Sequence, residues 1–387
     1  MAHPLPDRPL GVYVHVPWCT HLCPYCDFAV VVRPLINHTQ YLKAILTELR
    51  GRADTLPDRQ LRSIYFGGGT PSLWEASAIK AVVDEVSSTW AHSGDLEITV
   101  ECNPEQDSPE TYQALIAAGV NRVSIGTQSF STKTLASLGR RHTPAQNAAA
   151  IRHARAAGIN RISGDLIFGA DGQTQEHWRA DLNALTQVDG IGHVSLYQLT
   201  IEPNTVFGRL VAKDKMPAPD ADTCARFYEM ADEVLIQSGF QHYEVSSWAR
   251  PGQQSRHNNL YWSGAEYMGL GVGAHSLRFS TDGTVLRGQN GRKLKSYLAN
   301  PLGEQHQVET IDERTHLSER MMTGLRTSLG VDMATLRTGL ELDVDTIVEP
   351  IARTLIAQGL LEREEGYLRP TPRGLRLGDH VAEQFFE

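Results

Sequence analysis

Along the first 210 residues, apolar and β-branched positions gather into short runs at 11–16, 63–66, 96–100, 122–126, 161–168 and 193–199. Each run has strand length. Between them, the stretches 74–90, 109–118, 144–157 and 176–188 carry apolar residues near i, i+3, i+4 and i+7, the period of an amphipathic helix. Gly67, Gly119, Gly158 and Gly169 punctuate the joints. Six β–α units in succession predict parallel strands joined by right-handed crossovers, either as a partial (β/α)6 barrel or as a doubly wound open sheet. The partial barrel is the expectation, because the polar candidate residues fall at strand C-terminal ends, where α/β folds place their ligands.

The pattern changes near residue 210. A polar, Pro-rich stretch precedes a helical segment at 224–237, then residues 242–248 and a loop reading RPGQQSRHNNLYW. From about Ile311 the chain is mostly helical, and a helix, Gly-Leu-Leu and two short strands around Glu365 and Gly366 predict an α-rich, winged-helix-like end. The expected division is 1–210, 211–305 and 306–387.

The hydrophobic share of 41% and charged share of 21% are those of a globular protein. A formal charge of −9 argues against a broad nucleic-acid-binding surface, so the winged-helix-like end is expected to pack or to contact protein. No apolar run reaches eighteen residues, and the N-terminal stretch lacks the pattern of a secretory leader, so a cytoplasmic protein without a transmembrane segment is expected.

Three of the five cysteines fall within eight positions, as Cys19-Thr-His-Leu-Cys23-Pro-Tyr-Cys26, directly after the first predicted strand. Three thiolates on one tight loop can hold three irons of a [4Fe–4S] cubane, leaving the fourth iron open to a substrate or cofactor. Zinc would need a fourth ligand, His21 or His15, and its ligands normally fall as two separated pairs; no second pair is present. Cys102 and Cys224 read as small buried hydrophobes.

This motif, following Tyr13-Val-His-Val-Pro-Trp, resembles the signature of the radical S-adenosylmethionine (SAM) superfamily. It resembles in particular the branch of the oxygen-independent coproporphyrinogen oxidases and the HemW-like haem chaperones, over nearly the whole chain from about residue 10. The resemblance implies that Cys19, Cys23 and Cys26 hold the cluster. Tyr13, Gly68 and Glu101 would serve a cluster-bound SAM, and Tyr25, Gly69, Thr70, Gln128, Arg140 and Asp165 would line a second SAM site. On the residues alone, Gly67–Gly69 could let backbone amides approach a ligand or, equally well, form only a tight strand-to-helix turn, and Arg140 with Asp165 reads as a buried ion pair. The sequence Gly169-Ala-Asp-Gly-Gln-Thr departs from the family's Gly-Leu-Pro, which predicts a looser loop.

Within that branch, Phe28 stands where the oxidases carry a fourth cysteine, and only twelve residues precede Tyr13, where they carry a long segment. His257-Asn-Asn-Leu-Tyr-Trp resembles a motif associated with haem binding among the chaperones, which implies His257 as an iron ligand beside Tyr261 and Trp262. Alone, the same residues read as a loop histidine with an aromatic anchor, and His275 is a weaker candidate in a Gly-rich strand and turn. The resemblance implies a haem chaperone passing its cargo to a haem-requiring acceptor such as a respiratory-chain protein, with a reductase or flavodoxin-like electron donor and a homodimer as further partners. The alternative is a radical SAM enzyme of the coproporphyrinogen III oxidase type, or a methyltransferase, acting through a 5′-deoxyadenosyl radical.

Overall fold

The computed structural model describes residues 7–32, 37–303 and 306–386. Six strands, β1 (Pro9–Val16), β2 (Gln60–Gly68), β3 (Ala91–Cys102), β4 (Arg122–Gln128), β5 (Arg161–Phe168) and β6 (Ile191–Gln198), pair in sequence order, each parallel to the next. Among the described residues the sheet does not close. β6 continues antiparallel to β7 (Ser247–Ala249), and β1 pairs with the parallel strand β8 (Glu266–Leu270). Three antiparallel strands, β9 (His275–Phe279), β10 (Val285–Asn290) and β11 (His306–Ile311), extend that edge. The result is a partial (β/α)6 barrel carrying a side sheet.

Strand alternation sorts residues between two environments. Ile64 and Phe66, Ile98 and Val100, Val123 and Ile125, and Val194 and Leu196 are buried in the main apolar core with Val82, Val86, Ile151 and Leu182 of the crossover helices. Ser63, Tyr65, Glu97, Glu101, Ser124, Asp165 and His193 alternate with them and take polar partners inside the barrel, Ser63 with His257 and His193 with Ser163 and Tyr243. Tyr65 Oη donates to Glu101 Oε1 at 2.8 Å, and Ser124 Oγ reaches both Asp165 oxygens at 3.0 Å. The interior is therefore a polar network, which must be fully bonded to be tolerated at low dielectric. Caps fix where the helices begin: Ser108 and Thr143 accept from backbone N–H groups at Thr111 and Gln146, each ahead of a proline at the first helical position.

The expected HNNLYW loop is a helix. In α1 (Arg256–Trp262), Ser255 caps the start, and Glu97 of β3 accepts from the backbone N–H groups of Arg256 and His257 at 3.1 and 3.0 Å. An acidic side chain at a helix N-terminus satisfies amides that have no intrahelical partner, so a long-range contact makes helix from a segment that reads as loop. The glycine run before His275 forms the end of β8 and the turn into β9.

The C-terminal part has its own core, with Leu317, Met321, Leu336, Val348, Leu355 and Leu368 buried together. Its long helices are α2 (Glu313–Gly324) and α3 (Val344–Ala357). The hairpin Leu361–Glu364 with Tyr367–Pro370 turns at Glu365 and Gly366, both at positive φ, and pairs with Val331–Asp332 in a winged-helix-like arrangement.

Candidate metal and cofactor centre

The cysteine loop leaves β1 and is held by backbone bonds to the end of β2: Gly69 N–H donates to Val16 O at 2.8 Å, and Thr70 N–H to Trp18 O at 2.7 Å. Gly68 N–H donates to Glu101 Oε2 at 3.0 Å. The amides expected to approach a ligand are thus spent within the protein. The glycines matter for close packing instead. A Cβ on Gly69 would stand 2.5 Å from Trp18 O, and Gly68, at φ +116°, lies against the His15 ring.

Cys19, Cys23 and Cys26 are half-buried in one cavity of about 570 Å³ with Tyr25, Gly68, Gly69, Thr70, Glu101, Gln128, Arg140 and Asp165. Among the described residues, no three His, Cys, Asp or Glu side chains converge as ligands of a single ion. Three thiols lining one cavity suit a cluster, in which each binds a different iron. Arg140 Nη1 donates to Cys23 Sγ at 3.3 Å, Thr70 Oγ1 lies 3.8 Å from Cys19 Sγ, and His21 Nε2 lies 3.7 Å from Cys23 Sγ. These donors fit a site that accumulates negative charge. Burial pushes the Cys19 thiol up to about 11 and raises that of Cys26, so ligation has to release protons.

Arg140 and Asp165 form no ion pair. Arg140 bonds Cys23 and Asn103, while Asp165 takes hydroxyl donors from Ser124 and Ser163. Burial is the main influence raising the Asp165 carboxyl, opposed by Ser195 and Ser124. Gln128, at φ +61°, ends β4 in a conformation rare for a residue with a side chain, and such strain concentrates at ligand sites. Burial pushes Glu101 up to about 7 against the pull of Tyr65 and Gly68. The loop after β5 is closed rather than loose: Gln173 Oε1 accepts from Gly169 N–H at 2.9 Å and Ala170 N–H at 3.3 Å.

Tyr13 lines a second cavity of about 680 Å³, which shares Asp27, Phe28, Gly68 and Glu101 with the first and is also lined by Tyr261 and Trp262. His257 lines neither. It is 1% exposed, with Nδ1 2.7 Å from Ser63 Oγ and Nε2 2.7 Å from Tyr261 Oη. Burial lowers its pKa to about 3. Both nitrogens are thus bonded inside the barrel, and the ring faces neither cavity. Sequence reading passed over Asn103, whose Nδ2 donates to Thr70 Oγ1 at 3.1 Å and whose Oδ1 accepts from Arg140. Its position two residues beyond Glu101 was the available signal.

Residues 13–185 match the family model of the radical SAM superfamily, and residues 311–377 match that of the HemN C-terminal domain. Fold, cysteine loop and matches together define a radical SAM protein. The chain is 34% identical over 380 residues to the heme chaperone HemW of Escherichia coli K12, covering 97% of this chain and 98% of that protein. It is 34% identical to the HemW of Mycobacterium tuberculosis H37Rv (98% and 95% covered) and 32% identical to that of Bacillus subtilis 168 (97% and 98%). The chain belongs to the HemW family. The structure of coproporphyrinogen III oxidase (HemN) from Escherichia coli superposes with a TM-score of 0.81 at 23% identity, over 98% of this chain and 91% of that one, and shows the shared fold.

Proposed function

We propose that the chain is a cytoplasmic haem chaperone that binds haem beside a SAM-bearing [4Fe–4S] centre and passes it to a haem-requiring acceptor. Cys19, Cys23 and Cys26 would hold the cluster. When bound, such a cluster supplies an open iron for the amino and carboxylate groups of SAM and an electron for its sulfonium. Arg140 and Thr70 stabilise the thiolates, and Glu101 and Asp165 offer carboxylates to the ammonium or ribose of one or two SAM molecules. Residues 1–210 would form this centre, 211–305 the wall of the cargo cavity and 306–387 its cover. A flavodoxin-like donor or a reductase would supply electrons, and a homodimer is the assembly to test for.

The observation that carries the reading is the adjacency of two chambers sharing Glu101 and Gly68, one holding the three thiols and the other walled by aromatic side chains. Phe28, 68% exposed between them, stands where the related oxidases carry a further cysteine. Family membership supports the same choice. The test is an anaerobic haem titration followed by transfer from the loaded chain to an apo-acceptor. Saturation near one haem per chain with transfer supports the reading. Non-saturating uptake, together with 5′-deoxyadenosine production under reductant, would move the assignment to a radical enzyme.

A further inference from the structure

The second cavity has a size within the ~300–1,000 Å³ usual for small-molecule and cofactor pockets. Phe28, Tyr261, Trp262, Tyr267, Leu277 and Met322 give it apolar walls, suited to a flat, largely apolar ligand. Four imidazoles lie in or near it, and they are not equivalent. His15 is committed through both nitrogens, to Tyr13 Oη at 3.1 Å and Ala29 O at 2.9 Å. His257 is committed to Ser63 and Tyr261. His316 is 4% exposed and packed edge-on against Phe279. His275, the first residue of β9, is exposed on the cavity wall, and neither of its nitrogens has a hydrogen-bond partner among the described residues.

The cations of the cavity divide in the same way. Arg287 donates to Glu309 and Glu319 at 2.6 Å each, and Arg292 is paired with Asp27. Arg320 of α2 is different. It is packed so closely under Gly264 that a Cβ there would stand 2.4 Å from its Nε, and among the described residues that Nε is buried without a partner. Asp332 attracts it from beyond ion-pair range, with its own oxygens engaged in capping Ala334 and Thr335. A deeply set guanidinium without a carboxylate is costly, and a carboxylate-bearing ligand would remove that cost.

We propose that His275 is the protein ligand to the iron of bound haem and that Arg320 anchors a haem carboxylate, in the cavity between the barrel mouth and α2. The assignment rests on the haem-binding reading and replaces His257 with residues that face the ligand. Neutral imidazole is a good axial ligand for haem iron, and Arg is well matched to carboxylate.

The test titrates the cluster-loaded full chain anaerobically with ferric haem, reading the Soret band, for the native protein and for His275→Ala, Arg320→Gln and His257→Gln. His275→Ala should shift the Soret maximum and weaken binding about tenfold, with added imidazole restoring the maximum. Arg320→Gln should weaken binding about five- to tenfold while leaving the maximum in place. His257→Gln should keep the native maximum. An unshifted maximum with full affinity in His275→Ala overturns this assignment while the haem-binding reading stands. Failure of the native chain to saturate overturns both. His275 is exposed, so its variant folds whatever the fate of His257→Gln.

Discussion

The imidazole of His257 stands 2.7 Å from the Tyr261 hydroxyl one turn along the same helix, and its ring stacks on Tyr65 at 4.9 Å between centroids. A neutral imidazole has one N–H, so of the two hydroxyls it meets, one accepts and the other donates. The relay Ser63–His257–Tyr261 thereby locks a helix face into the barrel interior and sets the Tyr261 ring that lines the second cavity.

Replacing His257 with Ala should cost about 2–4 kcal/mol of stability, from a cavity in the barrel and two stranded hydroxyls. Denaturant unfolding of the cluster-free chain measures this. A loss below about 0.5 kcal/mol would show that the helix does not depend on the relay.

Removing a thiol should abolish the centre without unfolding the chain, because Cys19, Cys23 and Cys26 lie on a half-buried loop. Cys23→Ser should purify with little iron or sulfide and an unchanged far-ultraviolet dichroism spectrum. Gly69→Ala should do the same more mildly, since its methyl would push on Trp18 O and displace the loop.

The raised pKa of Glu101 has a signed consequence. Between its unfolded value near 4.5 and its folded value of about 7 the native state holds the extra proton, so this group's contribution to stability falls as pH rises through that window. The stability of Glu101→Gln relative to the native chain should therefore increase from pH 4 to pH 8. Paired unfolding curves of the cofactor-free proteins test this, and a pH-independent difference would refute it.

Arg59 and Glu266 form a fully buried bidentate pair at 2.7 and 2.8 Å, and Glu266 also accepts from Phe279 N–H at 2.7 Å. Glu266→Ala leaves a buried guanidinium without its counter-ion and should cost about 3–5 kcal/mol. The side sheet should loosen with it, read as faster amide exchange in His275–Phe279.

Much of this architecture was legible in the sequence because it is written locally. The six strand runs, the punctuating glycines and the capped helices give parallel β–α units, and three cysteines in eight positions mark the loop that lines the first cavity. What the sequence concealed depends on distant partners. Residues 256–262 read as loop because the carboxylate that starts their helix is Glu97, 159 residues from Arg256. The polar members of the strands, such as Ser63 and Ser124, could equally have faced solvent; only the curvature of the open sheet around them makes an interior network. His257 and His275 differ on the same ground: the first has both nitrogens bonded inside the barrel, and the second is exposed on the cavity wall. A motif identifies a histidine, but burial decides whether its nitrogens are free.

Glu101 touches both chambers, and its proton sits near the middle of the physiological range. An occupant on either side that draws off or fixes this proton alters the grip on the other side. Thermodynamic reciprocity makes that influence equal in both directions. A chain that holds its cargo tenfold more tightly with SAM in place must hold SAM tenfold more tightly with its cargo in place. Glu101, which lines both cavities, is the residue through which such a coupling would run.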